Sequence, residues 1–239
     1  MKLLAVDTAT PRLVLGLADG EQRWRFESKA DPQERGALST LTSRLLAEAG
    51  LTASALDVVA IGVGPGSFAG LRNGMAFARA LAWALDRPVV AVDSLECTAA
   101  AFLGRDGVRR VRVLLDARMQ AVYSGEYVGE PARPEAMQAI VERGLTASID
   151  ELTTVAPQGI ALVGNALALP GAEPLARRGW SAFAPQALPT ADAMLDIALA
   201  RVACGEQMRA DALSPCYVRD RVALTREQRA AGERLETPG

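Results

Sequence analysis

Residues 62–74 read Gly-Val-Gly-Pro-Gly-Ser-Phe-Ala-Gly-Leu-Arg-Asn-Gly, a run with enough glycine to bring its backbone against a phosphate or against another backbone. As a phosphate cradle it is poorly equipped. A Walker loop needs Lys after its last glycine, and here Leu71 follows Gly70. The segment Gly64-Pro65-Gly66-Ser67-Phe68-Ala69-Gly70 misses the dinucleotide spacing Gly-x-Gly-x-x-Gly by one residue. Ser67 does not sit in a Gly-x-Ser-x-Gly nucleophile elbow, because Ala69 holds the last position; its simplest role is to cap the following helix. A second segment with chemical potential is Asp7-Thr8-Ala9-Thr10. After a first strand, such a carboxylate and hydroxyls can face metal-bound phosphate, and the same residues are ordinary turn chemistry.

The chain has no histidine. That excludes a Ser-His-Asp triad, a Cys-His dyad, a His-ligated metal and a histidine general base. Carboxylates, Lys2, Lys29, tyrosine or a bound nucleotide remain. Cys97, Cys204 and Cys216 are odd in number, with no Cys-x-x-Cys pair, so neither a disulfide nor a zinc framework is expected, and the expected location is the cytoplasm. Arg105, Arg109, Arg110 and Arg112 are the densest basic group in a chain of net charge −2 and read as a solvated face, too small for a nucleic-acid stripe. The apolar start, Leu3 to Val6, is too short for a leader core and reads as a strand; no window approaches a membrane span.

The elements that must position these segments follow from periodicity. Strands are expected at 2–7, 13–18 and 24–28, two antiparallel hairpins in a row. Asp31-Pro32-Gln33-Glu34 opens a helix carrying Leu38, Leu41, Leu45 and Ala49, which Gly50 ends. A buried strand at 58–61 enters the glycine loop, a helix runs to about Leu85, and a strand follows at 88–92. Further strands are expected at 111–116, 121–127, 138–143 and 159–163, a helix at 148–153, a loop over 170–189, and a helix opened by Thr190-Ala191-Asp192 and closed near Gly205. At 239 residues this divides into a domain over 1–104, completed by the helix near 190–205 or by the tail, a smaller one over 105–220, and a charged tail over 221–239.

The helix after the glycine loop carries two apolar stripes. Phe68, Leu71, Met75, Ala78, Ala82 and Leu85 form one; Gly70, Gly74, Phe77, Leu81 and Ala84 form the other; Arg72, Arg79, Trp83 and Asp86 mark an outward arc. Covering one sheet face takes about one stripe. The second, with small residues at Gly70 and Gly74 that admit a neighbouring helix, packs either on the Leu38/Leu41/Leu45 helix of the same chain or on another subunit.

Four segments in order, Asp7-Thr8-Ala9-Thr10, Gly64 through Arg72, Leu115-Asp116-Ala117-Arg118 with Tyr123, and Pro215-Cys216-Tyr217-Val218-Arg219, give the chain a resemblance to the bacterial TsaB (YeaZ) family over nearly its whole length. Ala69 departs from it, replacing the family's usual Thr. The resemblance implies an α/β fold of the actin, Hsp70 and sugar-kinase superfamily: two ribonuclease H-like domains with mixed sheets and flanking helices. It implies a non-catalytic partner of the paralogue TsaD, which transfers threonylcarbamoyl to adenosine 37 of tRNA, with TsaE as an accompanying ATPase and tRNA reached only through the complex. It also implies homodimers when alone and heterodimers with TsaD, both through Leu38, Leu41, Leu45, Phe68, Gly70, Leu71, Gly74, Phe77 and Leu81. TsaD-like proteins carry a His-x-x-x-His metal site where this chain has Ser94 and Thr98, and neutral hydroxyls do not replace imidazoles on a transition metal. Asp7, Thr8, Asp116 and Arg118 then read as remnants of a nucleotide site, with Arg118 where glycine would admit a phosphate. No catalytic residue, metal or required cofactor is expected, and any ATP or ADP binding is weak or vestigial. A sugar-kinase-like ATPase or phosphotransferase using Asp7 and Asp116 is the rival. An M22-type metallopeptidase, a label attached to the wider family, is remote without histidine.

Overall fold

A computed structural model describes residues 1–29, 37–119, 121–130, 133–146 and 157–218. The first sheet is built by β1 (Lys2–Asp7), β2 (Arg12–Asp19), β3 (Gln22–Lys29), β4 (Val58–Gly64) and β5 (Val89–Asp93), in the order β3-β2-β1-β4-β5. Helices α1 (Leu38–Glu48), α2 (Phe68–Leu85) and α3 (Ser94–Ala100) belong to the same half. The second sheet has β6 (Arg110–Asp116), β7 (Val122–Glu130), β8 (Arg133–Thr146), β9 (Ala161–Val163) and β10 (Ala182–Ala184), in the order β8-β7-β6-β9-β10. Each sheet opens with two antiparallel pairings and closes with two parallel ones, so the second repeats the first with β6 in the place of β1. The mixed-sheet α/β architecture implied by the resemblance is therefore present. A short helix α4 (Glu173–Ala176) precedes β10, and α5 (Ala191–Ala203) ends the described structure's regular elements.

The first sheet is apolar on both faces because both are covered. Leu4, Val6, Leu15 and Ile61 pack under α1 and α2, whose buried residues include Leu45, Met75 and Ala78. Leu3, Ala5, Val14 and Val90 pack under α5 through Met194, Leu195 and Ile197. Polar contacts fix α5 over β3: Arg23 to Asp196 at 2.6 Å, Arg25 to Asp192 at 2.6 Å, and the Ala191 N–H to Glu27 at 2.8 Å. Helix α3 serves both sheets, with Cys97 and Ala100 in the first core and Leu95 and Ala99 against Val111, Val113 and Tyr123 of the second.

One expectation needs correction, and three fall outside the described residues. Residues 170–189 are not all loop: Leu175 of α4 and Phe183 of β10 are drawn into a core over Leu114 and Leu162, and β10 pairs in parallel with β9. Periodicity is uninformative over three- and four-residue elements, and tertiary packing formed these. The helix start expected at Asp31-Pro32-Gln33-Glu34 lies outside the described residues, the body of that helix being α1; the helix expected at 148–153 and the tail lie outside them as well.

Candidate functional site

The glycine loop connects β4 to α2, and Ser67 caps that helix, its Oγ accepting the Gly70 N–H at 3.2 Å. The backbone received by the loop is that of Thr8 and Ala9, just past the end of β1. The Ser67 N–H donates to the Ala9 carbonyl at 2.7 Å, and the Thr8 hydroxyl donates to the Gly70 carbonyl at 2.6 Å. A Cβ on Gly66 would stand 2.8 Å from the Ala9 carbonyl carbon. One on Gly70 would overlap the Thr8 carbonyl oxygen, and one on Gly74 the Thr8 hydroxyl. The loop thus holds a segment of its own chain at a distance only glycine permits.

Gly70 and Gly74 accordingly do not admit a neighbouring helix: both are buried and face β1. The buried side of α2 comprises Gly70, Leu71, Gly74, Met75, Ala78 and Ala82, which draws on both stripes read from the sequence. Leu38, Leu45 and Leu71 are 3, 3 and 2% exposed and belong to the chain's own core. Leu41, Phe77 and Leu81 are half-buried where α1 flanks α2, so the second stripe is largely consumed within this chain. On the other flank, Phe68 stacks on Tyr217 at 5.8 Å between ring centroids and Arg79 donates to the Asp211 carbonyl at 3.3 Å. Between the flanks runs an exposed crest: Ala69, Arg72, Ala76, Arg79, Ala80, Trp83 and Ala84. Ala76, Ala80 and Trp83 lie on this crest and were not singled out together from the sequence. Their signal was small residues one turn apart beside a tryptophan, masked by the arginines that made the arc read as polar.

Asp7 is buried under Gly62, accepting the Ala9 N–H at 2.6 Å and the Ser94 hydroxyl at 3.3 Å. Burial pushes its carboxyl up to about 6 against the two hydrogen bonds that lower it, with nearby Asp93 adding to the rise. The folded form thus binds this proton more tightly than the unfolded chain, and ionised Asp7 opposes folding. Its contribution is best at pH 4 and below and is eroded as pH rises through about 6, by roughly 3 kcal/mol at neutral pH. Asp7→Asn should therefore remove that part of the pH 4–6 slope and gain stability over the parent at pH 7; denaturant titrations at both pH values measure the difference.

Ser94 and Thr98 are both fully buried, and the Thr98 hydroxyl donates to the Ser94 carbonyl at 2.7 Å. These are neutral oxygens already engaged in the helix and with Asp7, a donor set that does not fit a transition metal. Among the described residues no group of three or more His, Cys, Asp or Glu side chains is arranged to hold a metal ion. Asp116, at the end of β6, is the topological counterpart of Asp7. Its Oδ1 accepts the Arg118 N–H at 2.7 Å, and the Arg118 guanidinium lies 3.4 Å from Oδ2. Arg118 occupies left-handed backbone with φ 65°, where glycine is favoured. Asp7 and Asp116 are thus both engaged in local structure.

Comparison with known proteins gives a consistent picture. Residues 29–162 match the family model described as TsaD, tRNA N6-adenosine threonylcarbamoyltransferase. The chain is 30% identical to the tRNA threonylcarbamoyladenosine biosynthesis protein TsaB of Escherichia coli, over 93% of this chain and 96% of the relative. It is 52% identical to the tRNA N6-adenosine threonylcarbamoyltransferase of Thermus thermophilus, but only over 60 residues, 25% of this chain and 19% of that one. The solved structure of YeaZ from Pseudomonas aeruginosa superposes with a TM-score of 0.78 at 28% identity, covering 90% of this chain and all of the other.

Proposed function

The chain belongs to the TsaB family of tRNA threonylcarbamoyladenosine biosynthesis proteins, and from that membership we propose that it is the non-catalytic, activating subunit in threonylcarbamoyl transfer to adenosine 37 of tRNA. It binds a TsaD-like transferase and holds it in an active shape. A TsaE-like ATPase completes the set, tRNA is engaged through the complex, and two copies can pair through the same face when the transferase is absent. The setting is the cytoplasm; among the described residues no helix is long and apolar enough to cross a membrane. The subunit requires no cofactor of its own.

The observation that carries this reading is the division of labour around α2. The segments that could have handled phosphate are engaged with each other: the glycine loop with Thr8 and Ala9, and Asp7 with Ala9 and Ser94. The crest of α2 stays exposed, with Trp83 at 83%. Exposed tryptophan and arginine beside small residues favour protein recognition. Reconstitution tests the reading: purified transferase, ATPase, threonylcarbamoyl donor and tRNA should give modified adenosine only when this chain is added. Asp116→Asn should support the reaction as well as the parent. ATP turnover by the isolated chain, lost in Asp7→Ala, would instead establish the sugar-kinase-like enzyme.

A further inference from the structure

Strand β3 carries polar side chains at alternate positions, Arg23, Arg25, Glu27 and Lys29, and residues at that spacing share one face of a sheet. Helix α5 covers that face, and three of the four meet it. Arg23 reaches Asp196 and Arg25 reaches Asp192, each at 2.6 Å, while Glu27 accepts the Ala191 N–H at 2.8 Å. Because α5 begins at Ala191, the row runs one position past its end. Lys29 holds that fourth position, exposed, and its ammonium has no hydrogen bond or ion pair among the described residues. It also stands directly across the ladder from Arg12 of β2. Like charges so placed are destabilising, and an anion between them turns the repulsion into attraction.

Glu27 offsets one of the two cations. One of its oxygens is held by the Ala191 N–H, and the other faces Arg12 Nη1 at 3.4 Å. Arg12 is fixed further by donating to the Pro189 carbonyl at 3.3 Å. Lys29 is therefore one positive charge in surplus. Both cations line a cavity of about 550 Å³, whose walls include Pro11, Gln186 and Leu188. A space of that size takes an organic molecule, not merely a bare ion. We infer that this cavity binds a small organic monocarboxylate. Its carboxylate sits between Lys29 and Arg12, and its apolar body lies along Leu188 and Pro11. One surplus charge calls for one negative charge; a phosphate dianion would bring a second one beside Glu27. One carboxylate oxygen takes the Lys29 ammonium, and the other takes the Arg12 N–H groups that Glu27 and Pro189 leave open. The row sets the precedent, since carboxylates already fill its two arginine positions. The Gln186 amide offers a donor and an acceptor to a polar substituent. The site belongs to the α5 face of the first sheet, whereas α2 and α1 cover the other.

The chain has only two lysines, Lys2 and Lys29, which makes the test direct. Reductive methylation with carbon-13 formaldehyde keeps both charges and gives two lysine signals in NMR beside that of the N-terminal amine. The variant Lys29→Gln identifies which is which. Titration with isovalerate at constant ionic strength should move the Lys29 signal with a Kd of about 1 mM and leave that of Lys2 in place. The bound carboxylate should also raise the pH at which Lys29 titrates. Isovalerate should bind at least about tenfold tighter than acetate, because its extra carbons leave water. Isovaleramide, alike in shape and uncharged, should not bind. By calorimetry Lys29→Gln should lose at least about tenfold in affinity for isovalerate, and Lys29→Arg should retain it. Lys29 is exposed, so both variants should melt with the parent. A Lys29 signal that stays in place far above 1 mM isovalerate, or that moves as much with chloride, would overturn the site. Inorganic phosphate binding more tightly than isovalerate would overturn the assignment to monocarboxylates. No transferase enters these measurements, so their failure leaves the accessory-subunit reading untouched.

Discussion

Replacing Gly70 with alanine lowers the stability of the folded chain by about 2–4 kcal/mol, the cost of overpacking a site that cannot give way. Helix propensity argues the opposite, because alanine is about 1 kcal/mol better than glycine inside a helix. The sign is decided by what the new Cβ meets. It would overlap the Thr8 carbonyl oxygen, backbone anchored by β1 and by the 2.6 Å hydrogen bond from the Thr8 hydroxyl to the Gly70 carbonyl. Relief requires moving either the first turn of α2 or the end of β1, and Leu71 beside it is fully packed. Ala76→Gly on the exposed crest is the control, since propensity alone should cost it about 1 kcal/mol. Urea titrations of the two variants give the comparison. A Gly70→Ala protein as stable as the parent would mean that Thr8 does not lie under the helix.

Ala80→Arg has the larger consequence for function. The residue is exposed in the middle of the crest, so an arginine extends into solvent in the free chain and the melting temperature should hold. In the proposed complex the same side chain would occupy space meant for the partner. The expected loss is at least about thirtyfold in affinity for the transferase, the ~2 kcal/mol of one disrupted hot spot, and tRNA modification should fall with it at limiting concentrations. Gly74 and Leu71 are among the interface residues implied by the resemblance, and Gly74→Arg or Leu71→Glu would be the matching experiment there. The structure gives both a different outcome. An arginine at Gly74 would be driven into the Thr8 hydroxyl, and a glutamate at Leu71, 2% exposed, would bury an unpaired charge. Those variants should lose the fold before they report on any partner.

Part of the molecule was legible without coordinates, for reasons that particular residues make plain. The hairpins from 2 to 28 follow from the apolar runs of β1 and β2, the alternation over 24–28 and the turn at Asp19-Gly20; β4 follows from its apolar run, α2 from its stripes and the Ser67 cap, α5 from Thr190. These signals are local, read within a few residues of each other. The absence of histidine, a matter of composition, excluded whole classes of chemistry. The family could be recognised from motifs in order, because motif order is a property of the chain itself.

What the glycines face could not be read locally. Gly70 and Thr8 are 62 residues apart, and nothing in either segment states that one lies on the other. From the sequence the loop could hold a phosphate or a backbone, and the helix stripe could meet a sheet, a sister helix or a partner. Tertiary structure resolved both together: docking β1 beneath α2 used up the small residues and buried Leu71, and flanking α2 with α1 on one side and residues 208–217 on the other left only the crest open. The sequence determined that this chain has a strand, a glycine loop and an amphipathic helix, since those depend on neighbours a few residues away. Which side of that helix is interior and which is left for another molecule depends on contacts between distant segments, and these exist only once the chain has closed on itself.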